Sequence, residues 1–142
     1  MTDFTFCDKC QQVKPPRAHH CQVCRKCIIK MDHHCPFIGN CIGIGNHKLF
    51  WNFLIYACLG SFQTAISLLF SVSNIPSVII SLVVCISTGL LFIMNTQMFL
   101  SNTTCIESKA LRNNPFDQGS KRNWVEVFGK GWFYKMIWVL PI

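Results

Sequence analysis

The chain has 142 residues, a mean hydropathy of +0.34, a net charge of +7 and ten cysteines. No Asp, Glu, Lys, Arg or His occurs between Leu49 and Ile106, so all of the charge lies in two basic flanks. Basic flanks beside an uncharged stretch favour a membrane surface over nucleic acid as the partner. The polar N-terminus does not resemble a secretory leader. We therefore expect reduced cytosolic thiols, which excludes a disulfide framework.

The first flank, residues 1–48, lacks an apolar period long enough to build a core, and its many turn-forming residues predict short hairpins around metal. Two Cys-x2-Cys pairs have the spacing of zinc knuckles. One all-cysteine site would use only these pairs, whereas two sites of three cysteines and one histidine would leave one thiol over. We favour two sites. The residues available are Cys7, Cys10, Cys21, Cys24, Cys27, Cys35 and Cys41, with His19, His20, His33 and His34.

One short stretch of this flank, Met31 to Pro36, contains an acid, two imidazoles and a thiol in consecutive positions. The spacing alone allows Cys35 to be a ligand or spare cysteine. Its neighbours favour a nucleophile, because an adjacent imidazole lowers a thiol pKa from its usual value of about 8.5. His33 would accept the thiol proton and Asp32 would hold the imidazole. Cys35 would lie at the headgroup level, where a fatty acyl-CoA presents its thioester.

Two apolar stretches, residues 49–70 and 78–100, are each long enough to cross a bilayer as a helix, and the polar break at 71–77 predicts a turn between them. Both flanks would then lie on one face, which the positive-inside rule makes cytosolic. Small and polar side chains recur at helical spacing, and we interpret them as close helix packing, with a ligand cavity as the alternative. These side chains are Gly60, Thr64, Ser67, Ser81, Cys85 and Thr88.

The tail, residues 101–142, is polar up to Arg122 and then becomes aromatic and apolar. Glycines and a lysine interrupt it too often for a third span, so we predict a segment lying on the membrane against the cytosolic domain. Several aromatic residues of the chain are placed like interfacial anchors, namely Trp51, Tyr56, Trp124, Trp132, Tyr134 and Trp138. The predicted fold class is an integral membrane α-helical protein, a two-helix transmembrane hairpin carrying a zinc-stabilised cytosolic domain.

The residues of the first flank form one extended motif, which runs Cys7-x2-Cys10-x9-His20-Cys21-x2-Cys24-x2-Cys27-x4-Asp32-His33-His34-Cys35-x5-Cys41-x4-Asn46-x3-Phe50, and the tail adds Asn123-Trp124 and Val127-Phe128-Gly129. This pattern resembles the DHHC family of protein S-acyltransferases (palmitoyltransferases). The resemblance implies one structural zinc on Cys7, Cys10, His20 and Cys27 and a second on Cys21, Cys24, His34 and Cys41. It also implies Cys35 as nucleophile, His33 as base and Asp32 as its orienting residue. Lys14, Arg17 and His19 correspond to positions expected to meet the phosphates of CoA.

The implied activity is transfer of a fatty acyl group from palmitoyl-CoA through acyl-Cys35 to cysteines of target proteins. The chain would reside in an endomembrane (ER or Golgi) or the plasma membrane with both termini cytosolic, and would not bind nucleic acid. The alternative is an inactive membrane-tethered zinc module that binds partners.

The sequence departs from the family pattern in three places. The family usually has at least four membrane spans, two of them before the cysteine-rich domain, and an Asp-Pro-Gly motif after the second span of that domain's preceding pair. This chain lacks those two preceding spans and the motif, which predicts a fragment or short isoform. The family's Thr-Thr-x-Glu motif reads Thr104-Cys105-Ile106-Glu107, and Phe37 replaces a common Trp.

Overall fold

Three short hairpins and four helices make up the computed structural model, which describes residues 5–70, 75–110 and 114–129. Each hairpin is a separate antiparallel pair of three-residue strands. The strands are β1 (Thr5–Cys7), β2 (Gln12–Lys14), β3 (His19–Cys21), β4 (Lys26–Ile28), β5 (His33–Cys35) and β6 (Asn40–Ile42). The helices are α1 (His47–Phe70), α2 (Ile75–Leu100), α3 (Cys105–Ala110) and α4 (Ser120–Phe128).

The three hairpins repeat one another at an interval of 14 residues. Cys7, Cys21 and Cys35 each end the first strand of a hairpin. The residue just before the second strand always has a positive φ, with values of 52°, 53° and 65° at Gln11, Arg25 and Gly39. This left-handed residue closes each tight turn. The flank is therefore built from three copies of one hairpin.

Helices α1 and α2 pack along each other and form the predicted membrane hairpin. Both are long and apolar enough to cross a bilayer. Only 11% of the most apolar 18-residue stretch of α1, and 6% of that of α2, is buried inside the protein. A core helix of a soluble protein would be mostly buried, so the lipid-facing reading and the predicted fold class are confirmed. The helices start before the predicted positions 49 and 78. Pro76 lies in the first turn of α2, where a missing N–H costs nothing, and residues 71–74 of the predicted turn lie outside the described residues.

The tail returns to the start of α1 and the end of α2 through an aromatic cluster. Trp124 stacks on Phe128 with ring centroids 4.2 Å apart and meets Trp51 edge-on at 5.7 Å. Trp51 also donates from Nε1 to Thr96 Oγ1 at 2.9 Å. Trp51 and Trp124 thus fasten α4 to the helix pair. The other predicted tail anchors, Trp132, Tyr134 and Trp138, lie outside the described residues.

Candidate functional site: a paired metal centre beside a Cys-His-Asp group

Strand β5 sends consecutive side chains to opposite faces, because the side-chain period of a strand is two residues. His33 and Cys35 therefore share one face of the hairpin, while His34 occupies the other. His34 is paired across the hairpin with Cys41, and Cys35 is paired with Asn40. The pleat thus divides the three residues of β5 between two faces, and Asp32 just before the strand contacts His33.

The first Cys/His cluster joins the first hairpin to the second. The turn of the first hairpin contributes Cys7 and Cys10, and the cross-strand pair of the second hairpin contributes His20 and Cys27. His20 Nδ1 lies 3.6 Å from the Cys7 sulfur, 3.2 Å from the Cys10 sulfur and 3.9 Å from the Cys27 sulfur.

The second cluster repeats this arrangement one hairpin further along the chain. Its turn ligands are Cys21 and Cys24, and its cross-strand pair is His34 and Cys41. His34 Nδ1 lies 3.7, 3.4 and 3.6 Å from the sulfurs of Cys21, Cys24 and Cys41. The two clusters contain the eight residues that the resemblance implied as ligands.

Both clusters fit a tetrahedral metal ion. Ligand arms of 2.0–2.3 Å around a tetrahedral centre place the ligand atoms roughly 3.5–3.8 Å apart, and the sulfur–nitrogen distances above scatter around this range, from 3.2 to 3.9 Å. Burial, together with the neighbouring Cys21 and Cys24, raises the pKa of Cys41 to about 12. The backbone N–H of Cys24 lowers the pKa of Cys21 in the same cluster, and a bound cation would compensate the charge of all three thiolates. Each cluster can therefore hold one metal ion between successive hairpins.

The third hairpin is an incomplete copy, and this explains the free thiol. Cys35 stands where Cys7 and Cys21 serve the two clusters, but Ile38 occupies the position of the second turn cysteine. No described residue offers a third histidine and cysteine pair to this turn. Cys35 thus has the backbone setting of a ligand without a metal to bind.

Buried Asp32 is hydrogen-bonded to the partly exposed His33, next to Cys35. His33 Nδ1 lies 2.7 Å from Asp32 Oδ2, and the backbone N–H of Cys105 donates to Asp32 Oδ1 at 2.5 Å. Burial alone would raise the pKa of Asp32, but the hydrogen bonds from His33 and the Cys105 amide outweigh it and hold that pKa below its ordinary value. Asp32 therefore remains a carboxylate that fixes the imidazole with Nε2 directed away from it.

Cys35 is buried in an apolar setting formed by the hairpin and the first turns of α1. It packs with Ile42, Phe50 and Leu54, and Phe92 of α2 covers them. The Phe50 ring also meets His33 edge-on at 5.2 Å, so one aromatic residue supports both the thiol and the imidazole. Within the described chain, no hydrogen bond joins Cys35 to His33; the two side chains share a face, and apo catalytic contacts are often loose.

The segment before α3 holds the Cys105 amide against Asp32 through a capping box. Thr104 Oγ1 accepts from the Glu107 N–H at 3.3 Å, and Glu107 Oε2 accepts from the Thr104 N–H at 3.0 Å. Arg17 donates two hydrogen bonds to the Glu107 carboxylate, at 2.6 and 2.7 Å. The contact to Asp32 comes from the backbone of residue 105, so the Cys in place of Thr does not remove it.

Arg17 makes several contacts inside the protein. Besides Glu107, its guanidinium donates to the side chain and backbone oxygens of Asn102 and lies 4.2 Å from the centroid of the Phe116 ring. These contacts hold the guanidinium against α3 and the segment that follows α2. Lys14 on β2 and His19 on β3 have no described partner for their side chains, so the phosphate assignment of all three residues stays a prediction.

Further residues that connect the hairpins to the tail were not predicted as functional. Lys30 pairs with Glu126 at 2.8 Å, and Asn102 donates to the other oxygen of that carboxylate. Asn123, which is 1% exposed, donates to the Leu100 carbonyl at 2.7 Å. Of the contacts between the hairpins and the tail, only the capping box has a short-range sequence pattern that could have predicted it, the Thr-x-x-Glu spacing.

Comparison with known proteins agrees with this geometry. The family model described as DHHC palmitoyltransferase matches residues 1–77, more than half of the chain. Similar proteins include Probable protein S-acyltransferase 12 of Arabidopsis thaliana, 37% identical over 96% of this chain and 53% of its own length. Palmitoyltransferase ZDHHC15 of Xenopus laevis is 35% identical over 96% and 46%. Palmitoyltransferase ZDHHC20 of Homo sapiens is 36% identical over 96% and 43%.

The chain spans about half the length of the curated relatives it matches. With its two Cys/His clusters, its Asp-His-His-Cys strand and its pair of membrane helices, the chain belongs to the DHHC palmitoyltransferase family.

Proposed function

We propose that this chain carries the catalytic part of a membrane-bound protein S-acyltransferase, with a fatty acyl-CoA as donor and cysteines of membrane-associated proteins as acceptors. The observation that carries the proposal is that neighbouring side chains of strand β5 lie on different faces and belong to different sites. Its His34 face belongs to a metal cluster, while its other face presents His33, which is bonded to Asp32, beside the free thiol of Cys35.

The chemistry follows from these three side chains. His33 Nε2 takes the proton of Cys35, and the thiolate attacks the carbonyl carbon of the acyl-CoA thioester. The carbon–sulfur bond to CoA breaks, acyl-Cys35 forms, and the departing CoA thiolate takes a proton from the imidazolium. A second thiol, from the target protein, then repeats the exchange and frees Cys35. Asp32 stabilises the imidazolium through its contact with His33 Nδ1.

The two metal clusters hold this site in shape. Four protein ligands close each cluster, so neither has an open position for a substrate, and zinc is the ion that such Cys3His sets suit. The reacting group thus depends on metal only for position. Cys35 lies next to the first turns of α1, so an acyl tail extending from it would enter the bilayer beside α1 and α2. This placement supports a cytosolic hairpin domain with both termini on that side.

Incubation with an alkyne-tagged palmitoyl-CoA tests the proposal. We expect a hydroxylamine-labile label that peptide mapping places on Cys35 and that a second protein with juxtamembrane cysteines removes. A matched variant, Cys105→Ser, alters a nearby thiol and should keep the label. Absence of any label on a metal-loaded chain would favour the alternative function, a membrane-tethered metal module that binds partners.

A further inference from the structure

Two cysteines meet between the membrane helices, away from the metal clusters and from Cys35. The sulfur of Cys58 in α1 lies 3.8 Å from the sulfur of Cys85 in α2 and 3.5 Å from the carbonyl oxygen of the same residue. Gly89, one turn along α2, also lies against Cys58: a Cβ there would stand 3.5 Å from the Cys58 sulfur, an ordinary van der Waals distance. Both thiols are free and half-buried.

We propose that Cys58 and Cys85 are an oxidation site that forms a disulfide between α1 and α2, with lipid hydroperoxides as the oxidant. The inference is independent of acyl transfer. Bond formation needs the sulfurs to close from 3.8 Å to about 2.0 Å. A movement of about 1 Å by each sulfur, within reach of rotation about its Cα–Cβ bond, is enough.

The depth of the pair selects the class of oxidant. Cys58 is eleven residues into α1 and Cys85 is ten residues into α2. At 1.5 Å per residue each cysteine lies ~16 Å from the N-terminal end of its helix. In an antiparallel helix pair these two ends are on opposite sides, so both cysteines lie near the middle of a ~30 Å hydrocarbon layer. Charged aqueous oxidants do not enter that layer, whereas hydroperoxides of lipid chains form inside it.

The reaction balances with the hydroperoxide as the only co-reactant. One thiol attacks the terminal oxygen, the O–O bond breaks, and a sulfenic acid and a lipid alcohol form, the thiol proton passing to the alcohol. The second thiol attacks the sulfenic sulfur, the S–S bond forms and water leaves. The two sulfurs lose two electrons in total, which the peroxide bond gains. The product ties α1 to α2 at mid-membrane.

The test uses the full metal-loaded chain in phosphatidylcholine nanodiscs treated with cumene hydroperoxide. After alkylation of free thiols and proteolysis, we expect a peptide pair linked through Cys58 and Cys85 that disappears on reduction. Tetrathionate, a charged oxidant, should leave the pair alkylated. The proposal is overturned if both thiols stay alkylated after hydroperoxide, if they link to other chains, or if tetrathionate links them equally well.

A displaced thiol provides the matched control. In the double variant Cys85→Ala and Ile86→Cys the thiol moves one residue, about 100° around the helix, to a position that is 62% exposed. The number of cysteines is unchanged, and the linked peptide should be lost. Equal linking in this variant would show random collisions and would overturn the proposed site.

Discussion

The ion pair between Arg17 and Glu107 should hold α3 against Asp32, and the substitution Glu107→Gln tests this. The side chains of the pair are 12% and 8% exposed. Glutamine has the size of glutamate and can still accept from Thr104, so the capping box survives. With its oxygen kept toward Thr104 and Arg17 Nη2, the amide places its NH2 opposite the Arg17 Nε–H, so one hydrogen bond is lost and the other loses the negative charge of its acceptor. We expect a cost of about 2–3 kcal/mol in the docking of α3.

Hydrogen exchange of the Cys105 amide measures this cost directly, because that amide is bonded to Asp32. A loss of about 2–3 kcal/mol should speed its exchange by roughly 30- to 160-fold. The control Asp8→Asn removes an exposed carboxylate elsewhere in the hairpins and should change exchange little. Unchanged protection of Cys105 in Glu107→Gln would refute the idea that Arg17 acts on Asp32 through α3.

Three further predictions concern the metal clusters, the incomplete hairpin and acid stability. Cys24→Ala should release metal and unfold the hairpins in circular dichroism, since binding and folding share one free energy; a folded, metal-replete variant would contradict the ligand set. Ile38→Cys should complete a third Cys-x2-Cys turn, so that Cys35 reacts as a dithiol with phenylarsine oxide; unchanged reactivity would contradict the repeat. Burial raises the pKa of Glu107, but Arg17 more than offsets this and holds it below the ordinary 4.5. The stability difference between wild type and Glu107→Gln should thus be constant above that pH and shrink as pH falls below it, whereas a difference that grows there would refute the sign.

Local patterns in the sequence predicted much of this molecule. The knuckle spacing predicted two metal sites, and the uncharged stretch predicted the two helices. The alternation of a strand explains why His34 faces a cluster while His33 faces Cys35, but spacing alone did not show which histidine was the ligand. That assignment came from the resemblance.

The contacts around Asp32 were not predictable in the same way. The Cys105 amide is 73 residues away in the chain, and Arg17 is 90 residues from Glu107. Patterns of neighbouring residues in the sequence cannot predict contacts between residues so far apart in the chain. The contact to Asp32 also comes from the backbone N–H of residue 105, which the identity of its side chain does not reveal. The tail helix was expected to lie on the membrane, and its aromatic packing against Trp51 depends equally on long-range contacts.

The central claim is that neighbouring residues of one strand serve different sites, His34 a metal cluster and Cys35 the chemistry. The metal content of purified Cys35→Ser, measured beside Cys41→Ser, tests it most directly. We predict that Cys35→Ser retains two zinc ions per chain, as wild type does, and accepts no acyl label, while Cys41→Ser loses zinc. Loss of zinc from Cys35→Ser would make Cys35 a ligand and contradict the account.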